Sequence, residues 1–463
     1  MLYTLEQAHV AAQQANWSLL NQHLQQLPLK KNGNGSQVLG ETDCQQVLHL
    51  ALQVIEAGDF QEKWDVAKVF PKLGKCSIAP LIAIVEDEAA DLEVRWFASR
   101  ILGEFDDPLV VISLVELLQS AEDEDLAEMA AQALSNIGSS AITALSSLLL
   151  EEESKYLAVQ ALAHIRHPET IAPLLTVVND PLPSIRSTAI EALISFRDRR
   201  ILPVLLEALQ DPAAVVRKQA VIGLGLRGSN LPELEVLDYL KPLLYDFNPQ
   251  VCQQAAIALG RLGTDEAAEA LFRVLKSPAT PISLQIDFVR ALGWVQTPLA
   301  LEYLQQALIS FPVDYLHLGG NKAEGRRQKA EGKDKCLAGY DMTRVTPEVS
   351  QEIIAVLGRI ELAELKSQAT QILIELLHSE QFSVPYPTLK QTLAMSLGQL
   401  GEAQALEPLI KLLEEPDLTV RLHAIAALKN IPHAYSTLQQ YGADENLTSK
   451  LQQGIAIALA EWF

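Results

Sequence analysis

A chain of 463 residues that is 49% hydrophobic and 20% charged has ample apolar surface to bury, and 58 Asp and Glu against 36 Lys and Arg give it a formal charge of −22. That excess repels phosphate backbones and excludes nucleic acid as the main expected partner. Cys44, Cys76, Cys252 and Cys336 lie far apart without a Cys-x-x-Cys, no basic region followed by an apolar run opens the chain, and no apolar stretch nears the roughly 20 residues of a membrane span, so a soluble, cytoplasmic protein with reduced thiols is expected.

Residues 1–60 are expected to form an N-terminal helical cap with a flexible loop. From about Thr4 to Leu27 a Gln-rich helical hairpin bends near Trp17, Lys30 to Gly40 has loop composition, and Cys44 to Ile55 reads as a helix. From about Lys63 one phrase recurs: a β-branched or apolar residue, a polar pair, a small or apolar anchor, then Ala-Leu-Gly. Its anchors are Ala67, Ala98, Ala130, Ala158, Ala189, Ala220, Ala255, Phe288, Ile353, Leu393, Ala424 and Ile455. By subtraction their spacing is 28 to 35 residues as far as Phe288, then 65, 40, 31 and 31. A period of this size predicts stacked helical hairpins, since one hairpin cannot bury its own apolar face. Repeats are therefore expected over 61–310 and again over 348–463, where Trp462-Phe463 closes the terminal helix.

Local residues fit that plan. Gly103, Gly225, Gly260, Gly293, Gly358 and Gly398 are placed to end helices in the left-handed conformation. Pro181, Pro212, Pro278 and Pro416 begin or break connections. The acidic turns Glu86-Asp87-Glu88, Glu122 to Asp125 and Glu151-Glu152-Glu153 suit the positive N-terminal ends of the helices that follow. Arg95, Arg186, Arg217 and Arg421 share one place, two residues into the first helix, and are expected either to bond acids and helix-end carbonyls as an inter-repeat ladder or to form an anion-binding ridge.

A single insertion, 311–347, interrupts the array. Within Gly319 to Arg344, Lys322, Arg326, Arg327, Lys329, Lys333, Lys335 and Arg344 oppose Glu324, Glu331, Asp334 and Asp341, a net of +3 in an acidic chain. A Gly-rich, charged stretch of this kind reads as a mobile loop, either a tolerated insertion or, with Tyr340, a contact for a partner or anionic ligand. Cys336 lies beside Lys333 and Lys335, which would lower its pKa, and is the candidate for a reactive thiol.

No constellation for chemistry emerges. The nine histidines are scattered, His164 and His167 being the tightest pair, and no nucleophile elbow, zinc-protease, phosphate-loop or dinucleotide motif is present. No catalytic residue, metal ligand or cofactor is assigned.

The phrase Val-Arg-x-x-Ala-x-x-Ala-Leu-Gly-x-Leu, approximated at Val216 to Leu226, Val251 to Leu262 and Val420 to Ile431, resembles the HEAT-like repeats of the phycobilin lyase E/F group over roughly Lys63 to Leu459. That family attaches or removes linear tetrapyrroles at phycobiliprotein cysteines and includes scaffolding relatives; the chain is also similar in length and acidity to a HEAT-repeat partner of a cyanobacterial iron–sulfur carrier. The resemblance implies phycobiliproteins or an iron–sulfur carrier as clients, and phycocyanobilin as a ligand only if the chain is a lyase.

The expectation is thus an all-α, right-handed α-solenoid of about twelve HEAT-like helical-hairpin repeats. It would act as a non-enzymatic adaptor whose second helices line a concave trough, with Glu207, Arg273, Tyr303 and Lys411 as contacts. A bilin lyase or lyase subunit is the alternative.

Overall fold

The computed structural model describes residues 2–27, 41–227, 236–310, 347–379, 387–444 and 447–462. Two compact units divide the chain, Met1–Gln219 and Ala220–Phe463. The expected loop at Lys30 to Gly40, most of the Phe382 to Pro387 connector and the basic insertion fall outside the described residues.

The first unit holds α1 (Leu2–Gln13), α2 (Trp17–Gln26), α3 (Glu41–Ala57), α4 (Phe60–Ala67), α5 (Phe70–Leu73), α6 (Ile78–Glu86), α7 (Leu92–Leu102), α8 (Pro108–Ser120), α9 (Glu124–Ile137), α10 (Ile142–Leu148), α11 (Glu152–His164), α12 (Ile171–Thr176), α13 (Pro183–Ile194) and α14 (Ile201–Ala208). Helix α15 (Ala214–Gly225) crosses the unit boundary. The second unit continues with α16 (Val236–Leu240), α17 (Pro249–Leu262), α18 (Asp265–Leu275), α19 (Ile282–Val295), α20 (Pro298–Ser310), α21 (Pro347–Gly358) and α22 (Ala363–His378). It ends with α23 (Pro387–Leu400), α24 (Leu406–Lys411), α25 (Leu418–Leu428), α26 (Ala434–Gly442) and α27 (Ser449–Ala460). Every regular element among the described residues is helical, as an all-α solenoid requires.

The twelve anchors fall in α4, α7 and then every odd-numbered helix from α9 to α27, hereafter the motif helices. All are at most 4% exposed. From α7 onward each anchor is the seventh residue of its helix; in α4 that place belongs to Val66, which is fully buried, so the Ala67 register was one residue late. Helix starts are fixed chemically. Asp59 forms a capping box with Glu62, and Asp91, Asp123, Asn248, Asp417 and Thr448 each accept a backbone N–H at the start of their helices. Pro183 and Pro249 occupy the first turn, where the missing N–H costs nothing. The acidic turns follow the dipole expectation at α9 and α11, but Glu86 closes α6 and Asp91 caps α7 in place of the Glu86-Asp87-Glu88 run.

The arginines form the ladder. Each is the fourth residue of its motif helix, deeper than the sequence reading placed it. Arg186, Arg217 and Arg421 donate to paired carbonyls in the turn just before their helices, Asp180/Pro181 at 2.7 and 3.0 Å, Asp211/Pro212 at 2.8 and 3.0 Å, and Glu415/Pro416 at 2.7 and 3.1 Å. Arg95 reaches Val85 O at 3.0 Å. The same acids receive a second cation from the preceding repeat: Lys155 contacts Asp180 at 3.2 Å, Lys390 donates to Glu415 at 2.7 Å, and Arg186 forks onto both Asp211 oxygens at 2.7 Å. Cys252 holds this place in α17, donating Sγ–H to Asp246 O at 3.1 Å; burial first, then the Asp246 charge, pushes its thiol pKa up. It is a packed structural thiol.

The glycines do something other than expected. Positive φ occurs at Gly74, Gly138, Gly263 and Gly401, whereas Gly103 ends α7 in right-handed geometry and Gly225, Gly260, Gly293, Gly358 and Gly398 lie within helices. Those last five, with Gly103, let adjacent motif helices touch.

At the N-terminus, Asn21 and Gln25 of α2 donate to the Glu62 and Asp65 carbonyls of α4 at 2.8 and 3.2 Å, stacking the α1–α2 hairpin on the first motif helix. In the second unit the array continues across the insertion, because α19 and α21 pack as neighbouring motif helices. Arg290 forks onto Glu352 at 3.0 and 3.2 Å, Arg359 adds a third bond at 3.3 Å, and Gln305 of α20 reaches Glu375 of α22 at 3.2 Å. Deleting Gly319 to Arg344 should therefore leave helical content and the thermal midpoint nearly unchanged by circular dichroism; a collapse of either would show that the insertion supports the stack.

Burial pushes the Glu352 carboxyl up, but the hydrogen bonds and charges of Arg290 and Arg359 outweigh it and hold the pKa below the glutamate range. A depressed folded-state pKa contributes stability that is complete above the unfolded value, about 4.3, and is lost as pH falls through the folded one. Glu352→Gln should thus be less stable than the parent in urea at neutral pH, and the gap should close below about pH 4. A gap independent of pH would remove the carboxylate from the account.

Candidate partner-binding surface

The two helix layers differ in how closely they pack. Along the motif layer, a methyl added to Gly103 would sit 2.8 Å from Ala133 Cα, one on Gly260 2.8 Å from Ala291 O, and one on Gly358 2.7 Å from Ser396 Cα. The other layer is spaced by large side chains, as where Phe272 of α18 stacks on Tyr303 of α20 with centroids 4.4 Å apart. Small residues pull the motif helices together, so within each unit the motif layer is the inner one. The expectation that second helices line the trough is corrected by this packing.

A hollow of about 800 Å³ lies on that inner layer in the first unit, across α4, α7, α9 and α11. Its apolar part comes from Phe60, Leu92, Trp96 and Met129, and its charge from Glu93, Asp123, Asp125 and Glu128, with Gln132, Gln160 and His164 along the far side. Phe60 is 55% and Leu92 52% exposed. Behind them the rings form a shelf: Phe60 meets Phe97 edge-on at 5.2 Å and Trp64 at 6.2 Å, Trp96 meets Phe97 edge-on at 5.1 Å, and Arg100 lies 3.9 Å over Trp64. On α9 the positions Asp125, Glu128, Gln132 and Ser135 follow helical spacing, so they form one continuous stripe. Among the described residues, no Lys or Arg lines the hollow.

The carboxylates are not equally free. Glu93 accepts from Lys63 at 2.6 Å, and Asp123 accepts the Leu126 N–H at 2.9 Å as a helix cap. Asp125 and Glu128 are exposed on the first turns of α9. His164 bonds the Gln160 carbonyl at 2.8 Å, and His167 sits at the next turn with Nδ1 3.8 Å from Glu169.

The four residues proposed from sequence lie on the outer layer, and none lines this hollow. Glu207 is exposed on α14 and Lys411 on α24. Arg273 is exposed on α18, pairs with Glu269 at 2.8 Å and borders a small hollow of about 120 Å³ with Lys241, Tyr245 and Glu266. Tyr303 is half-buried against Phe272, and burial, aided by Glu269, Asp265 and Glu302, pushes its phenol up. Lys322, Arg326, Arg327, Lys329, Lys333, Lys335, Cys336, Tyr340 and Arg344 lie outside the described residues. The hollow itself was missed, although a signal existed: the residue after the ladder position is Ser187, Lys218 or Gln253 in α13, α15 and α17 but Trp96 in α7.

Among the described residues, Cys76 and Cys252 are free thiols, no group of three or more His, Cys, Asp or Glu could hold a metal ion, and no helix is long and apolar enough to cross a membrane.

No curated protein sequence matches the chain. Among solved structures it is similar to importin beta, at 13% identity and a TM-score of 0.50, over 98% of this chain and 64% of that one. The karyopherin Kap121p bound to the extreme C-terminus of the protein phosphatase Cdc14p is similar at 14% identity and a TM-score of 0.43, over 97% and 55%. YibA of Escherichia coli gives 18% and 0.37, over 54% and 91%. At 13% identity the likeness to importin beta speaks to fold alone. The family model for HEAT repeats matches residues 78–157, 151–225, 237–316 and 380–460. With well over half of its length matched in this way, and the period, ladder and paired helices already described, the chain belongs to the HEAT-repeat family.

Proposed function

We propose that this chain is a non-enzymatic adaptor that seats a protein client on the inner layer of its first unit. The observation that carries the reading is the open hollow across α4, α7, α9 and α11, where exposed aromatic and aliphatic groups are bordered by carboxylates. Such a surface offers anchors for desolvation at its centre and a charged rim that sets orientation and encounter rate. Glu207, Arg273, Tyr303 and Lys411 would then serve at most as secondary contacts, and the basic stretch Lys322 to Arg344 as a second, oppositely charged one. A client with both basic and acidic faces fits these two contacts together.

The resemblance to the phycobilin lyase group makes phycobiliproteins and iron–sulfur carriers the clients to try first, in a cytoplasmic setting and with no cofactor. Capture of partners by the tagged full-length chain, with identification by mass spectrometry, tests the proposal. A stoichiometric partner that resists washing is the expected result; recovery of nothing above an untagged control would defeat it.

Bilin attachment or removal, the alternative implied by the same resemblance, fits the hollow less well. Phycocyanobilin carries propionates that would face Glu93, Asp123, Asp125 and Glu128, and like charges at close range are costly. A shift in phycocyanobilin absorption on mixing, followed by transfer to an apo-phycobiliprotein, would reverse this ranking.

A further inference from the structure

We infer that the segment seated in the hollow is an extended stretch of the client bearing arginine or lysine, its cation held between the α9 carboxylates and the Phe60–Trp96 shelf. This deepens the adaptor proposal and rests on it.

The charge of the hollow favours such a segment. Among the described residues, four carboxylates and no Lys or Arg line the hollow. Lys63 already offsets Glu93, and Asp123 is committed to capping α9, which leaves Asp125 and Glu128 on one helical stripe to meet an incoming cation. The apolar groups beside them are of a matching kind. Arginine and lysine bring apolar stems as well as charge, so they match a site in which Phe60, Leu92, Trp96 and Met129 stand next to acids. A guanidinium over an indole face is favourable, and the molecule already contains one on this shelf, Arg100 over Trp64 at 3.9 Å. The reach fits as well. Four packed helices at about 8–10 Å spacing span roughly 24–30 Å, the length of about eight extended residues. Alternation along an extended strand would then present a side chain toward the shelf at every second residue.

The test uses the full-length chain and a fluorescein-labelled peptide of about nine residues alternating arginine and glycine, read by anisotropy at physiological salt. A glutamate–glycine peptide of equal length and free spermine are the comparison arms. Asp125→Lys combined with Glu128→Lys should weaken arginine-peptide binding by about tenfold or more, and Trp96→Ala by several-fold. Glu269→Lys combined with Glu302→Lys makes the same charge change on the outer layer of the second unit and should leave the affinity unaltered. Asp125 and Glu128 are exposed, so that pair keeps the test sound even if Trp96→Ala disturbs the shelf.

Equal weakening by both charge reversals would mean that the overall field of an acidic chain attracts the peptide, and the inference fails. It fails too if the arginine peptide does not bind, if the glutamate peptide binds as well, or if spermine displaces the peptide as effectively as unlabelled peptide does, since the hollow would then be a polyamine site. Repeating client capture with the Asp125→Lys, Glu128→Lys chain separates the two proposals. Undiminished capture overturns the seat assigned here and leaves the adaptor standing, while no capture by the unaltered chain removes the adaptor and this inference with it.

Discussion

Arg186→Ala should destabilise the first unit by about 3 kcal/mol, the cost of stranding a paired charge that water cannot easily reach. The side chains of Arg186 and Asp211 are each 11% exposed, and the fork between them is backed by the Asp180 and Pro181 carbonyls. Burial pushes the Asp211 carboxyl up, yet Arg186 and the Ala213 N–H hold it below the usual aspartate range, which is the mark of a carboxylate satisfied as an anion. Removing the guanidinium leaves that anion with the Ala213 N–H and frees two carbonyls. Arg186→Lys should recover only part of the loss, because an ammonium cannot fork onto both oxygens. Urea unfolding of Arg186→Ala, Asp211→Asn and the double variant measures the coupling, and single variants within about 0.5 kcal/mol of the parent would refute the ladder's structural weight.

Gly398→Val should strongly destabilise the second unit. A Cβ at this place would lie 2.6 Å from Ala427 Cα and 2.7 Å from its Cβ, so α23 and α25 must move apart before any larger group fits. Overpacking of this kind costs about 1–3 kcal/mol, and a β-branched side chain pressed against backbone belongs at or beyond the upper end. Gly442, the last residue of α26, is the natural contrast: an added methyl meets nothing nearer than Ile455 Cγ2 at 3.6 Å. Gly442→Ala should be neutral or stabilising by up to about 1 kcal/mol through helix propensity. If the two variants unfolded at the same urea concentration, close helix approach would not be what Gly398 provides.

The helices and their buried faces were legible because periodicity is a local property. Eleven of the twelve anchors landed on the seventh residue of their helices; Ala67 slipped because Val66 and Ala67 are adjacent and both apolar, so either satisfies the pattern. Glycine was harder. A glycine near a helix end can relieve φ or admit a neighbouring backbone, and only the partner decides between these. Ala427 opposite Gly398 and Ala291 opposite Gly260 belong to the next repeat, roughly 30 residues on.

The same limit explains the misplaced trough. Which layer is inner depends on how repeats pack against each other, not on any one hairpin, and Glu207, Arg273, Tyr303 and Lys411 were chosen hairpin by hairpin. The hollow draws its lining from four helices, Phe60 from α4, Leu92 and Trp96 from α7, Glu128 and Met129 with their stripe on α9, and Gln160 and His164 from α11, and in one dimension these groups stand about 30 residues apart. Only stacking makes them neighbours.

The double use of each ladder acid has a further bearing on how such a chain can change length. Asp180-Pro181 and Asp211-Pro212 are the same junction one period apart, each offering its carbonyls forward to Arg186 or Arg217 and its carboxylate backward to Lys155 or Arg186. Excising everything from Leu182 to Pro212 would bring Ala213 directly behind Pro181 and present Arg217 with the carbonyls that Arg186 had used. The seam heals only when a whole period is removed or duplicated, so gain and loss of complete repeats is the route of change that this architecture tolerates.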